Sequence, residues 1–254
     1  MLRFMERLIM NKSLLTIMVV SLAGVGTACA QAYVYPVPPP PASPPPSAPA
    51  YLYVLPPSAG PYASFEAGPT FYQDGQLKNF GGPASGPVHY DVGASAAVSL
   101  GYAFNRYVAA GIELGVNATT INNIPGYTLS DAQFYNLPFL ANLTFSYPIP
   151  HSLITPYIGG GVGGSESVFN PSFMADNHFI NNVSGEEDDV VFAWEVYAGL
   201  RFQLNPNMTL GIGYKYFGTG NPNFSYPTYP PPDITVGFRG VETHSLLATF
   251  TWRF

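Results

Sequence analysis

Between residues 62 and 254 the chain is a succession of stretches in which apolar and polar side chains alternate, and this period of two constrains the fold more than any other feature. Successive strand side chains point to opposite faces, so each stretch marks a β-strand with one greasy and one polar side. Eight are read: 62–72, 89–104, 107–118, 131–147, 155–166, 189–204, 208–217 and 241–254. The connectors after the second, fourth and sixth are short: Asn105-Arg106, 148–154 and Asn205-Pro206-Asn207. The others, 73–88, 119–130, 167–188 and 218–240, are long and rich in Gly, Pro and Asn. Short turns at one end, long loops at the other and an even strand number predict an all-β fold, an eight-stranded antiparallel up-and-down transmembrane barrel with short periplasmic turns and long extracellular loops.

The facing pattern sets which side meets lipid. In the second stretch Tyr90, Val92, Ala94, Ala96, Val98, Leu100, Tyr102 and Phe104 share one face, opposed by small and polar residues from Asp91 to Ala103. In the last, Leu246, Ala248, Phe250, Trp252 and Phe254 oppose Ser245, Leu247, Thr249, Thr251 and Arg253. A terminal strand this apolar on one face is an aggregating edge in water unless a neighbour closes the barrel and lipid covers the belt. Charged residues are only 9% of the chain, against about 25% in a soluble protein, so the surface is short of the groups that normally face water.

Ahead of the barrel, Arg3, Arg7 and Lys12 precede an apolar run from Leu14 to Val25 and a small-residue site, Ala28-Cys29-Ala30. Residues 1–30 therefore read as a secretory signal peptide cleaved between Ala30 and Gln31. The alternatives are an uncleaved N-terminal membrane anchor, disfavoured because the apolar run is short and ends in small residues, and lipidation of Cys29, for which Gly26-Thr27-Ala28-Cys29 is a loose match. Cys29 is the single cysteine, so the mature chain would lack disulfides. Cleavage removes three of nine basic residues and one of fifteen acidic ones, leaving six against fourteen, a net charge of −8. Such an acidic chain is not expected to bind nucleic acid. Residues 31–61 are a proline tract, read as a disordered polyproline II linker that reaches roughly 80 to 90 Å, with a passive spacer preferred over a specific PxxP ligand.

The charges within the strands, Glu66, Asp91, Glu113, Glu195, Arg201, Lys215 and Arg253, all fall on the predicted interior face. An eight-stranded interior is just wide enough for side chains to fill, so an interior network of Glu66, Glu113 and Glu195 with Arg201, Lys215 and Arg253 is expected. It could serve as a plug that fixes the core or as a gate in a narrow pore; the plug is the preferred reading. Glu186-Glu187-Asp188-Asp189 lacks the spacing of a calcium loop and reads as a solvated acidic run. A Ser/His enzyme is not expected either: His244 and Ser245 are adjacent and face opposite sides, and His89, His151 and His178 have no serine motif nearby. No cofactor or metal is expected, and the glycines from Gly159 to Gly164 read as close strand packing.

Thr155-Pro156-Tyr157-Ile158-Gly159-Gly160-Gly161-Val162-Gly163, then Phe192-Ala193-Trp194-Glu195-Val196-Tyr197-Ala198-Gly199-Leu200-Arg201, then Leu210-Gly211-Ile212-Gly213-Tyr214-Lys215-Tyr216, with a terminal Phe254, carry a resemblance. Over about residues 60–254 the chain resembles the outer-membrane β-barrel domain of the OmpA/OmpX and opacity-protein type, often labelled "porin family". The resemblance implies a Gram-negative outer-membrane address, contact with outer-membrane lipid and lipopolysaccharide, and an assembly signal in Phe250, Trp252 and Phe254 read by the barrel-assembly machinery. The chain stops at the eighth strand, so murein anchoring through a following domain is not expected. The expected function is structural and surface-interactive, with loops contacting a host or surface ligand and Phe224, Tyr226 and Tyr229 of the fourth loop as the leading contacts. A narrow solute channel and a lipid A-modifying enzyme are the alternatives.

Overall fold

The computed structural model describes residues 59–176, 181–227 and 232–254. The signal peptide with its Ala30/Gln31 site, Cys29, nearly all of the proline tract, His178 and Tyr229 lie outside the described residues. Fifteen strands follow in order: β1 (Gly60–Tyr72), β2 (Gly75–Phe80), β3 (Pro83–Tyr90), β4 (Val92–Ala103), β5 (Val108–Asn123), β6 (Tyr127–Ser130), β7 (Ala132–Ser146), β8 (Ile154–Asn170), β9 (Phe173–Asp176), β10 (Asn182–Val183), β11 (Glu187–Asn205), β12 (Met208–Thr219), β13 (Asn223–Tyr226), β14 (Ile234–Phe238) and β15 (Glu242–Arg253).

Eight of them close an antiparallel barrel in the order β1-β4-β5-β7-β8-β11-β12-β15, with β15 returning to β1. Each corresponds to one of the alternating stretches. Closure is made by pairs such as Phe65 with Phe250 and Tyr62 with Arg253, so neither terminal strand keeps an open edge. The outer face carries an apolar belt: Val98, Leu100, Ile112, Leu114, Phe139, Ile158, Val162, Val196, Ile212 and Leu246 are all exposed. Tyr102, Phe104, Tyr107, Tyr147, Trp252 and Phe254 ring the short-turn end. Opposite parity points inward, where Ser95, Asn142, Thr144, Ser245, Thr249 and Thr251 are buried.

One stretch departs from simple alternation. The second was read as continuous over 89–104, with Tyr90 outside and Asp91 inside. The chain instead breaks at Asp91, and the β3–β5 ladder slips between His89 and Tyr90. A one-residue slip moves every side chain beyond it to the other face. Tyr90 therefore turns inward against Tyr72 and Phe134, at 5.2 and 5.8 Å between ring centres. Asp91 is exposed and accepts a hydrogen bond from the Thr120 hydroxyl at 3.0 Å, so it does not belong to the interior charge set.

The long connectors are folded. The hairpin β2–β3 and the hairpin β13–β14 join through a β14–β2 ladder, and this sheet runs on into the barrel at β5. A second small sheet is formed by β10, β9 and β6. Together they enclose the largest apolar core of the described residues, which includes Leu77, Val88, Ile124, Phe134, Phe169, Met174, Phe224, Val236 and Phe238. Phe134, Phe169, Phe224 and Phe238 form a cluster with ring centres 5.1 to 6.3 Å apart. This overturns the reading of Phe224 and Tyr226 as surface contacts: they are 0% and 4% exposed. The reason is local alternation, because in Asn223-Phe224-Ser225-Tyr226 the polar residues face out and the aromatic ones complete the cap.

Candidate functional site

Strand parity brings one residue from each of four barrel strands to a common point halfway along the lumen. Lys215 of β12 sits there, 5% exposed, with its ammonium 2.6 Å from Glu113 Oε1 of β5 and 3.1 Å from Glu195 Oε2 of β11, and in close ion-pair contact with Glu66 Oε1 of β1. Asn142 of β7 ties the carboxylates to each other, its Nδ2 donating to Glu113 Oε2 at 3.0 Å and to Glu195 Oε1 at 2.8 Å. Ser99 of β4 donates to Glu113 Oε2 at 3.2 Å. Room for Asn142 comes from Gly161 on β8, where a Cβ would overlap Asn142 Oδ1. The next interior position, Gly159, leaves space for the Tyr197 ring. Tyr197 shares a hydrogen bond of 2.8 Å with the Thr144 hydroxyl.

Of the six charges expected to meet, four do. Arg201 and Arg253 form no ion pair with a carboxylate among the described residues. Arg201 shares the inward face of β11 with Glu195, but six residues of strand put its Cα about 20 Å further along. It lies near the short-turn end, where Nη1 donates to Ser146 Oγ at 3.3 Å and the guanidinium sits 4.2 Å from the centre of the Tyr157 ring. Arg253 is one residue from the chain end, opposite Tyr62. Parity had placed both on the right face and left their height along the barrel open.

The lumen is thus layered. At the short-turn end a polar cavity of about 40 Å³ is lined by Tyr62, Ser64, Tyr157, Arg201 and Thr249 and reaches up to Lys215. At roughly 10 to 15 Å³ per site this holds about three waters. Lys215 and its three carboxylates come next, followed by buried Leu140, Ala193 and Phe217. The aromatic cap closes the far end. A solute crossing the barrel would have to displace all of these.

Other sequence candidates are placed apart. His244 lies outside, sharing hydrogen bonds with Tyr214 Oη at 2.5 Å and Gln73 Nε2 at 2.6 Å, while Ser245 points inward and donates to Thr70 Oγ1 at 2.8 Å. The two side chains occupy opposite sides of one strand and cannot act as a pair. Glu186 accepts hydrogen bonds from Tyr135 at 2.7 Å and Asn170 at 3.1 Å, and Asp189 accepts from the Asn223 amide at 2.9 Å. These acidic groups are engaged in loop structure. Among the described residues no cluster of His, Cys, Asp or Glu is placed to hold a metal ion. Phe250, Trp252 and Phe254 are exposed on the outer face, the last two rings stacked at 5.3 Å. Asn142, Ser99 and Tyr197 were not singled out from sequence; as neutral interior residues they carried only the parity signal.

Several solved structures are similar to this chain. Neisserial surface protein A is 17% identical with a TM-score of 0.46, over 77% of this chain and 99% of that one. OprG from Pseudomonas aeruginosa is 12% identical with a TM-score of 0.48, over 78% and 98%. The protease OmpT from Escherichia coli is also similar, at 11% identity and a TM-score of 0.39, over 77% and 97%. No curated protein matches in sequence. Residues 52–254 match the family described as the outer membrane protein beta-barrel domain. The match takes in the whole closed barrel and its cap, and the chain belongs to that outer-membrane β-barrel family.

Proposed function

We propose that the protein is a structural and surface-interaction barrel of the outer membrane, without catalysis, whose contact surface is the outer face of its folded loop cap. The observation that carries this reading is the burial of Phe134, Phe169, Phe224 and Phe238, each 0% exposed, beneath the loops. Loops that share an apolar core present their outward residues on a preorganised scaffold, so little conformational entropy is lost when a partner docks. The outward set is polar: Gln76, Lys78, Asn223, Ser225 and Arg239 are exposed around the cap. A contact made there is directed by hydrogen bonds and charge, in place of the aromatic anchors expected from sequence.

The height of the cap supports the same reading. β8 and β11 have 17 and 19 residues, whereas about 9 to 11 cross a bilayer. Their loop-side halves therefore stand clear of the lipid, and the apolar belt below is the surface for outer-membrane lipid and lipopolysaccharide. Phe250, Trp252 and Phe254 belong to that belt, consistent with a second role in recognition by the assembly machinery. The obstructed lumen argues against steady solute flow.

The test is adhesion of cells displaying the protein, on host-cell monolayers and on abiotic surfaces. A variant combining Lys78→Ala, Ser225→Ala and Arg239→Ala is expected to lose binding while keeping the heat-modifiable migration of a folded barrel. Undiminished binding by the folded variant would remove this proposal. A large steady conductance of the wild-type protein in planar bilayers would favour the channel instead.

A further inference from the structure

Below the Lys215 cluster the lumen holds two guanidinium groups and no carboxylate within ion-pair distance of either. Arg201 is fixed on two sides, by the Tyr157 ring and by Ser146, yet its Nε is buried without a hydrogen-bond partner. Arg253 is half-buried and lies within electrostatic reach of Arg201 and of Tyr62. The polar cavity against Arg201 is bounded by the Tyr62, Ser64, Tyr157 and Thr249 side chains and, at its inner end, by Glu66, Glu113 and Lys215; Arg253 is not part of that wall but sits opposite Tyr62 at its mouth. The cavity is approached from the short-turn end, because Tyr62, Ser64, Arg201, Arg253 and, deeper, Glu66 are partly exposed while Glu113, Glu195 and Lys215 above them are buried. The chain leading into the barrel supplies no counter-charge either, since residues 31–58 contain neither Asp nor Glu.

Two like charges within electrostatic reach of each other at a partly desolvated mouth repel, and a buried polar N–H without a partner is costly. Glu66 and Glu113 reach the inner end of the cavity, but one oxygen of each, and one of Glu195, is held by Lys215, and the second oxygens of Glu113 and Glu195 accept from Asn142. From this geometry we infer that the short-turn mouth of the lumen is a binding site for a small oxyanion, a phosphate or carboxylate group held by Arg201 and Arg253. The planar guanidinium presents paired N–H donors that match two oxygens of such a group, and stacking on Tyr157 orients it in advance. The hydroxyls of Tyr62 and Thr249 are further donors on the wall. The bound group would face the periplasm in a barrel whose loops face out, where both free anions and the headgroups of inner-leaflet lipids are available.

The test uses the protein refolded in nonionic micelles and phosphate-free buffer, with the backbone amide resonances of residues 62, 201 and 253 followed by ¹H–¹⁵N NMR in every variant, and the Arg201 Nε–H resonance wherever Arg201 is retained. Inorganic phosphate, acetate and dihexanoyl phosphatidate are titrated separately. A saturable shift with half-saturation on the order of 1 mM is expected for at least one, weakened about tenfold by Arg253→Gln and by Arg201→Lys. Saturation by phosphate or acetate identifies a free anion, and saturation by the lipid alone identifies a headgroup. Absence of a saturable shift up to about 100 mM of any probe, or the same shift in folded Arg253→Gln and Arg201→Lys, overturns the site and shows the arginines to be only long-range counter-charges to the Lys215 cluster. Neither result bears on adhesion through the cap.

Discussion

Replacing Lys215 by methionine keeps most of the side-chain volume and removes the one ammonium that holds Glu66, Glu113 and Glu195 together. The local charge passes from −2 to −3 if all three carboxylates stay ionised. Glu113 retains hydrogen bonds from Ser99 and Asn142, and Glu195 retains one from Asn142. Glu66 has no comparable donor among the described contacts, so it loses most. Removing one partner of a buried ion pair typically costs about 3 to 5 kcal/mol, and Lys215→Met should fall in or above that range. Glu195→Gln is the control: it removes one of two excess negative charges, and its carbonyl oxygen still accepts from Asn142. Its cost should stay within about 1 to 2 kcal/mol, the scale of one exchanged hydrogen bond. The assay is reversible urea unfolding of the refolded barrel in lipid vesicles, read by tryptophan fluorescence at several pH values. Acid should narrow the gap between the two variants, because neutral carboxyl groups no longer repel. Equal costs for Lys215→Met and Glu195→Gln at neutral pH would refute the view that one lysine organises the three carboxylates.

Truncating the cap should loosen the loops and spare the barrel: Phe169→Ala is expected to cost about 3 to 5 kcal/mol of cap stability, seen as faster proteolysis in the long loops with unchanged heat-modifiable migration. Gly161→Ala should displace Asn142, because its Cβ would overlap Oδ1, and lower the unfolding midpoint more than Gly160→Ala on the outward face of the same strand. Tyr226 donates to the Phe169 carbonyl at 2.9 Å, and burial, reinforced by Glu187 and Glu186, raises its hydroxyl above the usual tyrosine range. Its contribution to the cap is therefore intact below about pH 10, where the unfolded chain begins to ionise, and declines as pH rises further toward the folded value. Hydrogen exchange of the cap amides should show this alkaline loss in the wild type and a shallower one in Tyr226→Phe, which starts about 1 kcal/mol lower.

The barrel was legible because each of its eight strands carries the alternation that a two-faced wall requires, over 12 to 19 residues. The cap was not, because its strands are short: β13 and β14 span four and five residues and sit among prolines and glycines that mark a loop. Asn223-Phe224-Ser225-Tyr226 does alternate, but four residues are too few to outweigh that context. The candidate site divides in the same way. Parity correctly turned Glu66, Glu113, Glu195 and Lys215 inward, whereas their convergence depends on stagger between strands, which no single stretch records. Arg201 shows the limit most clearly, sharing the face of Glu195 and lying a barrel level away. Asp91 shows another, since one slip in a neighbouring ladder reverses the face that alternation assigns.

The distribution of apolar residues also separates the two ends of the molecule by the work each can do. In the barrel wall the large apolar side chains point outward, and the interior is held by hydrogen bonds and one charge cluster. In the cap the order reverses, with aromatic residues inside and polar ones outside, as in a water-soluble domain. The cap is joined to the barrel by a short, slipped ladder between β3 and β5, so its first hairpin runs directly into the wall. The loop end therefore presents a polar surface over an aromatic core, and the short-turn end a polar cavity against Arg201. The Lys215 cluster, Phe217 and the aromatic core lie between them, so among the described residues the packing that obstructs the lumen also separates its two ends.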